Sequence, residues 1–178
     1  MRDIAAILDL VNGYAAEGVM LPRDEFELAE SIRDFVVADD DGQLLGCGAL
    51  HFYTPTSAEV RSLAVQPALK SRGVGRAIVE ALEREASECE LASLFAFTYV
   101  PEFFRRLGFE VVDRGRLPLK AWRDCLRCPK FQACDEVAML KVLREEKAAP
   151  MDSPLAGLVG SVPGLAPNFV PLPTLKKP

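Results

Sequence analysis

The sequence predicts an α/β fold, a central sheet flanked by helices, and three observations carry that prediction. Residues 59–67 alternate, are rich in Val and Leu, and stop at Pro67, as a strand does. Ile78, Val79, Leu82, Ala86 and Cys89 then fall on one helical face, with Glu80, Glu83, Arg84 and Glu88 on the other. On either side of this unit, helical and alternating segments take turns, punctuated by Gly and Pro.

The first helix spans residues 3–17, where Ile4, Ile7, Leu8, Val11 and Tyr14 recur at helical spacing and Gly18 ends the pattern. After a loop at Val19–Arg23, an acidic second helix covers 24–32, with Phe26, Leu28, Ala29 and Ile32 on or near its apolar side. Phe35–Asp39 and Leu44–Tyr53 form a hairpin around the turn Asp39-Asp40-Asp41-Gly42. Gly46 and Gly48 inside the return strand predict a bend or a close backbone approach. Past the central strand and helix, Leu94–Thr98 is a short strand. Pro101 starts a brief helix that ends at Leu107-Gly108. Phe109–Asp113 and Val137–Leu143 are the closing strands.

These elements make one domain over 1–147. From Ala148 the composition changes to seven prolines and three glycines, with little charge before Lys176-Lys177 and no periodicity. This tail, 148–178, reads as a mobile or surface-draped extension. Its Leu155, Leu158, Phe169 and Val170 leave open packing against the domain or a neighbouring subunit.

The totals narrow the function. A length of 178 residues suits one domain with a full core, and 49% hydrophobic with 26% charged residues is ordinary globular composition. A net charge of -5 argues against general binding to nucleic acid or an anionic membrane, so a local basic loop serves one ligand. Asp3, Asp9 and Glu17 interrupt any leader-like apolar run, and no run reaches the roughly 18 apolar residues of a membrane span. Five cysteines, an odd number without a leader, point to reduced thiols in the cytoplasm.

The loop Lys70-Ser71-Arg72-Gly73-Val74-Gly75-Arg76 opens directly into the central helix. Backbone N–H groups converge on an anion in such a loop, and the helix N-terminus adds partial positive charge at the same place. Lys70, Arg72 and Arg76 add formal charge. The third glycine of a dinucleotide-binding loop is missing, and so is the Gly-Lys-Ser/Thr of a P-loop. A strand, Val65-Gln66-Pro67, the basic glycine loop and a helix together resemble the acetyl-CoA-binding signature of the GNAT superfamily of N-acetyltransferases. The bland alternative is a structural strand–turn–helix whose glycines merely permit the turn. The order of elements along the chain also matches that superfamily. The resemblance implies the acetyltransferase (GNAT) fold, a mixed and mostly antiparallel sheet whose fourth and fifth strands splay apart to admit the thioester.

Finer features resemble one branch: Leu21-Pro22-Arg23, Gly46-Cys47-Gly48-Ala49-Leu50-His51, Glu59-Val60-Arg61-Ser62-Leu63-Ala64-Val65, Tyr99-Val100-Pro101-Glu102-Phe103-Phe104 and Leu119-Lys120-Ala121-Trp122-Arg123-Asp124-Cys125. These are similar to short bacterial amino-acid N-acetyltransferases, which acetylate the α-amine of L-glutamate (N-acetylglutamate synthases, at the first step towards arginine); the alternatives are the same transfer to another small amine and a non-catalytic regulatory subunit that keeps the acetyl-CoA site. The resemblance covers 1–143 and implies acetyl-CoA as cosubstrate, with Leu63, Ala64 and Val65 along its pantetheine and Lys70, Ser71, Arg72, Gly73, Val74, Gly75 and Arg76 at its pyrophosphate. A homodimer is the oligomer the fold analogy offers.

Glu59 is the candidate general base. Period-two alternation puts it on one face with Arg61, Leu63 and Val65, and the alternative role is a surface carboxylate paired with Arg61. The candidate acid is Tyr99, because Phe103 and Phe104 stand where many relatives carry a tyrosine; its alternative is a half-buried core tyrosine. Two substrate carboxylates need cations, for which Arg23, Lys120 and, after them, Arg61 are the candidates, each otherwise a surface charge. His51 reads as a hydrogen-bonded structural histidine. Cys125, Cys128 and Cys134 are spaced as a zinc half-site, but a tetrahedral site needs a fourth ligand from Cys47, Cys89 or His51. Reduced structural thiols without metal are the preferred reading, with redox sensing a further alternative.

Overall fold

The computed structural model describes residues 1–117, 126, 128 and 130–144. Lys120, Cys125 and the tail from 148 lie outside the described residues. The element order expected from periodicity is the order observed. Helix α1 (Ile4–Ala16) buries Ile4, Ile7, Leu10, Val11 and Tyr14 on one face and gives way to Gly18, whose φ of 74° only glycine adopts without strain. Helix α2 (Glu25–Glu30) is shorter than expected. Asp24 caps it by accepting from the Glu27 amide at 2.7 Å, and the chain then tightens into a 3-10 turn over Ile32–Asp34. Leu28 is its buried residue, while Phe26 is 72% exposed, contrary to the expected apolar side. Residues two apart on a helix lie about 200° apart, so a helix that turns Leu28 inward turns Phe26 out.

Strands β1 (Phe35–Asp40) and β2 (Gln43–Thr54) form the predicted hairpin. Asp41 and Gly42 both take positive φ in its two-residue turn, and the Gly42 amide donates to the Asp39 carboxylate at 3.1 Å. Strand β3 (Ser57–Val65) pairs antiparallel with β2, and helix α3 (Val74–Glu88) crosses over to β4 (Ser93–Thr98), which runs parallel to β3. A short helix α4 (Pro101–Arg105), β5 (Glu110–Val111) and β6 (Val137–Val142) complete a six-stranded sheet in the order β1-β2-β3-β4-β6-β5. Strand β5 is shorter than the expected 109–113. Phe109 is buried in the core instead, and Asp113 accepts from the Gly115 amide at 2.7 Å to start a turn.

The sheet has a packed face on each side. On one, α3 lays Ile78, Val79, Leu82 and Ala86 over Leu50, Val60, Leu94 and Ala96. On the other, α1 packs Ile7 and Val11 over Cys47 and Ala64. Gly46 and Gly48 are the close approach their presence predicted. A Cβ at Gly46 would stand 2.8 Å from the Ala64 carbonyl oxygen, and one at Gly48 2.8 Å from Ile78 Cγ2. Glycine at both positions is what lets α3 lie flat on β2.

Candidate active site

Strands β3 and β4 pair only over Ser57–Ser93, Ala58–Leu94 and Glu59–Phe95. Beyond Glu59 they part, which in this chain's own count is between the third and fourth strands. The far half of β3 has a partner on its β2 side alone, and a cleft of about 1270 Å³ opens along the free edge. Such an edge offers main-chain donors and acceptors to anything extended that enters.

The expected alternation along β3 breaks at Ser62. Opposite Cys47 and Ala49 of β2 stand Ala64 and Arg61, so β3 carries one residue more, and Ser62 takes φ 53°. This is a β-bulge. It puts Glu59, Arg61 and Ala64 on the α1 side and Leu63 and Val65 on the α3 side, where both pack on that core. Glu59 and Arg61 therefore do not share a face with Leu63 and Val65, as period-two alternation had them.

At one end of the cleft lies the glycine loop. Leu63, Ala64, Val65, Lys70, Ser71, Gly73, Gly75 and Arg76 all border the cleft; Arg72 and Val74 are outside its lining. The Val74 side chain belongs to the α3 core beneath Gly46. Ser71 and Gly73 both take positive φ, 66° and 89°. The helix ladder begins where the Ala77 amide donates to the Gly73 carbonyl at 2.9 Å, so the amides just ahead of it are the unclaimed donors of a helix N-terminus. Lys70 Nζ sits 4.8 Å over the Tyr14 ring, and Arg76 pairs with Glu80 at 3.8 Å on the exposed side of α3. The arrangement suits an anion.

Toward the parting point the cleft becomes a polar chamber. Asn12 exchanges two hydrogen bonds of 2.9 Å with the Arg23 backbone, and Arg23 Nε donates to Ser62 Oγ at 3.1 Å. The Arg61 side chain, 12% exposed, lies 3.8 Å from Asp34. Glu59 is buried at the last position of β3 that pairs with β4, and its partner across the β2 ladder is His51. His51 Nδ1 is 2.8 Å from Asp34 Oδ2, the hydrogen-bonded histidine expected.

The opposite wall comes from β4 and the segment before β6. Tyr99 Oη donates to Asp135 at 2.8 Å and accepts from Lys130 Nζ at 3.0 Å. Burial pushes the Tyr99 hydroxyl up and the Lys130 bond opposes it, while the bond to Tyr99 holds Lys130 up and Asp135 down. Lys130 Nζ also reaches the Gly18 carbonyl at 3.3 Å. Glu136 borders the same cleft. Burial raises its carboxyl above the usual range, opposed by the Cys134 thiol, which donates at 3.8 Å, and by Arg114. Lys130, Asp135 and Glu136 were not among the sequence candidates. They sit in a stretch without periodicity, and the pairing of β6 with β4 brings Lys130 and Glu136 to the cleft lining and Asp135 to Tyr99.

The thiols are dispersed. Cys47 is buried under α1, where burial pushes it up to about 12, so it stays a thiol. Cys89 is exposed after α3, on the other side of the sheet. Cys128 and Cys134 border the cleft. Among the described residues no three His, Cys, Asp or Glu side chains gather as metal ligands, and no helix is long and apolar enough to cross a membrane.

Comparison with known proteins accords with this geometry. Residues 31–111 match the family described as acetyltransferase (GNAT) domain. An uncharacterised N-acetyltransferase of Chlorobaculum tepidum is 46% identical over 143 residues, covering 80% of this chain and 92% of that protein. An amino-acid acetyltransferase of Mycobacterium tuberculosis is 37% identical over 114 residues, 62% of this chain and 65% of its own length. Among solved structures, N-acetylglutamate synthase of Neisseria gonorrhoeae, complexed with coenzyme A and N-acetyl-glutamate, aligns with a TM-score of 0.73 at 25% identity, over 80% of this chain and 33% of that one. The splayed sheet, the family match and a relative matched over 92% of its own length agree: this chain belongs to the GNAT family of N-acetyltransferases.

Proposed function

We propose that the protein transfers the acetyl group of acetyl-CoA to the α-amine of L-glutamate. The observation that carries the reading is the parting of β3 and β4 at Glu59, which opens a cleft with the glycine loop at one end and Arg23 and Arg61 at the other. The residues present fit the cofactor. The amides of Val74, Gly75 and Arg76 at the start of α3, with Lys70 and the Arg76 side chain beside them, suit a pyrophosphate, and the open edge at Leu63, Ala64 and Val65 suits an extended pantetheine. Bound acetyl-CoA supplies an acyl group already activated as a thioester.

The protein's part is to hold and move protons and to orient the amine. Arg23, fixed by Asn12 and Ser62, and Arg61 supply cationic donors for two carboxylates, with Lys120 assigned to the same task. Glu59 accepts the proton that frees the amine for attack. Tyr99, protonated at neutral pH as a phenol is, turns its O–H from Asp135 to the leaving thiolate, with Lys130 at 3.0 Å to replenish the proton. The amino-acid acetyltransferases named among the relatives support an amino acid as acceptor, and the likeness to an N-acetylglutamate synthase complexed with N-acetyl-glutamate supports glutamate among them. Thiol release measured over a panel of amines tests the reading. Glutamate is expected to outpace glutamine, aspartate and aminoglycosides by at least about tenfold in kcat/KM, a difference on the order of 1.4 kcal/mol. A better substrate elsewhere in the panel overturns it.

A further inference from the structure

A proton taken up by Glu59 needs an exit when cofactor and amino acid fill the cleft. We propose that His51, oriented by Asp34, relays that proton from Glu59 to solvent outside the cleft; the inference rests on the acetyltransfer just described.

Glu59 and His51 face each other directly across the β3–β2 ladder, an arrangement that puts Cβ atoms about 5 Å apart on one side of the sheet. Glu59 borders the cleft, whereas His51 and Asp34 are outside its lining. Glu59 is buried, whereas the His51 and Asp34 side chains are 27% and 26% exposed. Asp34 takes Nδ1 at 2.8 Å, which leaves Nε2 as the ring nitrogen able to take up a proton. The Tyr53 ring meets the imidazole edge-on, with centroids 4.9 Å apart and planes at 83°, and holds its orientation.

The charged and titratable groups around this imidazole are Asp34, Glu59, Arg61 and Tyr53. Arg61 stands 3.8 Å from the same Asp34 oxygen. From α3, Glu85 senses Asp34: burial first, and then the Asp34 charge, raise the Glu85 carboxyl. The step balances without any redox change. The N–H bond of the substrate ammonium breaks to Glu59, the Glu59 O–H breaks to His51 Nε2, and Nδ1 loses its proton to Asp34 and water. Tautomer exchange then resets the ring. His51 is thus a positioning and relay residue that acts through Glu59.

Steady-state kinetics of the full chain, wild type and His51→Gln, in weakly buffered solution and with added imidazole, tests this. The amide introduced by the substitution keeps a hydrogen bond to Asp34 but relays no proton. Expected for His51→Gln are a fall in kcat of about tenfold or more, KM values within about twofold of wild type, and recovery of kcat as imidazole is raised. Wild-type kcat from the variant, or a loss that imidazole leaves untouched, overturns the relay. If His51→Gln fails to fold, Asp34→Asn decides, with the same dependence on imidazole expected and its absence overturning. Wild type that acetylates no amine in either medium refutes the functional reading and the relay together; wild type matched by its variant refutes the relay alone.

Discussion

Arg61 and Leu63, two residues apart in one strand, point to opposite faces of the sheet. The bulge at Ser62 separates them, and by the same displacement it brings Glu59 and Arg61 to the polar chamber while Leu63 and Val65 stay on the α3 core. A β-branched side chain tolerates φ near 53° badly. Ser62→Val is therefore expected to lose roughly 1–3 kcal/mol of unfolding free energy, and Ser62→Gly to lose less. Chemical denaturation of both variants measures this, and an equally stable Val variant contradicts a strained bulge.

Gly48 makes the second prediction. A Cβ there meets Ile78 Cγ2 at 2.8 Å and Leu82 Cδ1 at 3.4 Å, both on α3. Gly48→Val has to push the helix off the sheet, at a cost of about 1–3 kcal/mol. The denaturation midpoint should fall with little change in m-value. Because α3 also carries the glycine loop, affinity for CoA should fall too, which calorimetric titration reads.

The hairpin, the crossover helix and the glycine loop were all legible in the sequence because each is set by neighbours within a turn or two. Gly42, Pro67, Gly73 and the apolar stripe from Ile78 to Ala86 announce themselves locally. The bulge was not legible, since Ser62 is an ordinary strand residue whose positive φ follows from register with β2. Nor was the far wall of the cleft. Tyr99 was in view as a candidate, but Lys130 and Asp135 reach it from more than 30 positions away, through the antiparallel pairing of β4 with β6. Phe26 failed for a simpler reason: a helix of six residues has room for one buried face, and Leu28 occupies it.

Glu59 as base predicts a particular kinetic pattern. Glu59→Gln cannot take the ammonium proton, so kcat should fall by about 100-fold, chiefly below neutral pH, where the free amine is scarcest. The KM for acetyl-CoA should hardly move. A pH–rate profile identical to wild type contradicts the assignment.

Glu136 ties pH to stability. Burial raises its carboxyl in the folded state, so folding favours the protonated form, and stability falls as pH climbs from the ordinary carboxylate range through the higher native value. Glu136→Gln removes that contribution. Its unfolding free energy should vary less with pH over that window, and at neutral pH it should exceed that of wild type. Urea melts of both proteins across the acidic range check this, and parallel curves contradict it.

Amide hydrogen exchange with and without CoA is the most direct measurement of where the cofactor lies. The account predicts slowed exchange, on adding CoA, in peptides covering Leu63–Val65 and Ser71–Arg76, with no comparable change at β1. Pantetheine, which lacks the pyrophosphate, should protect Leu63–Val65 while leaving Ser71–Arg76 as in the free protein. Protection that falls elsewhere, or exchange at both segments unchanged by saturating CoA, would contradict it.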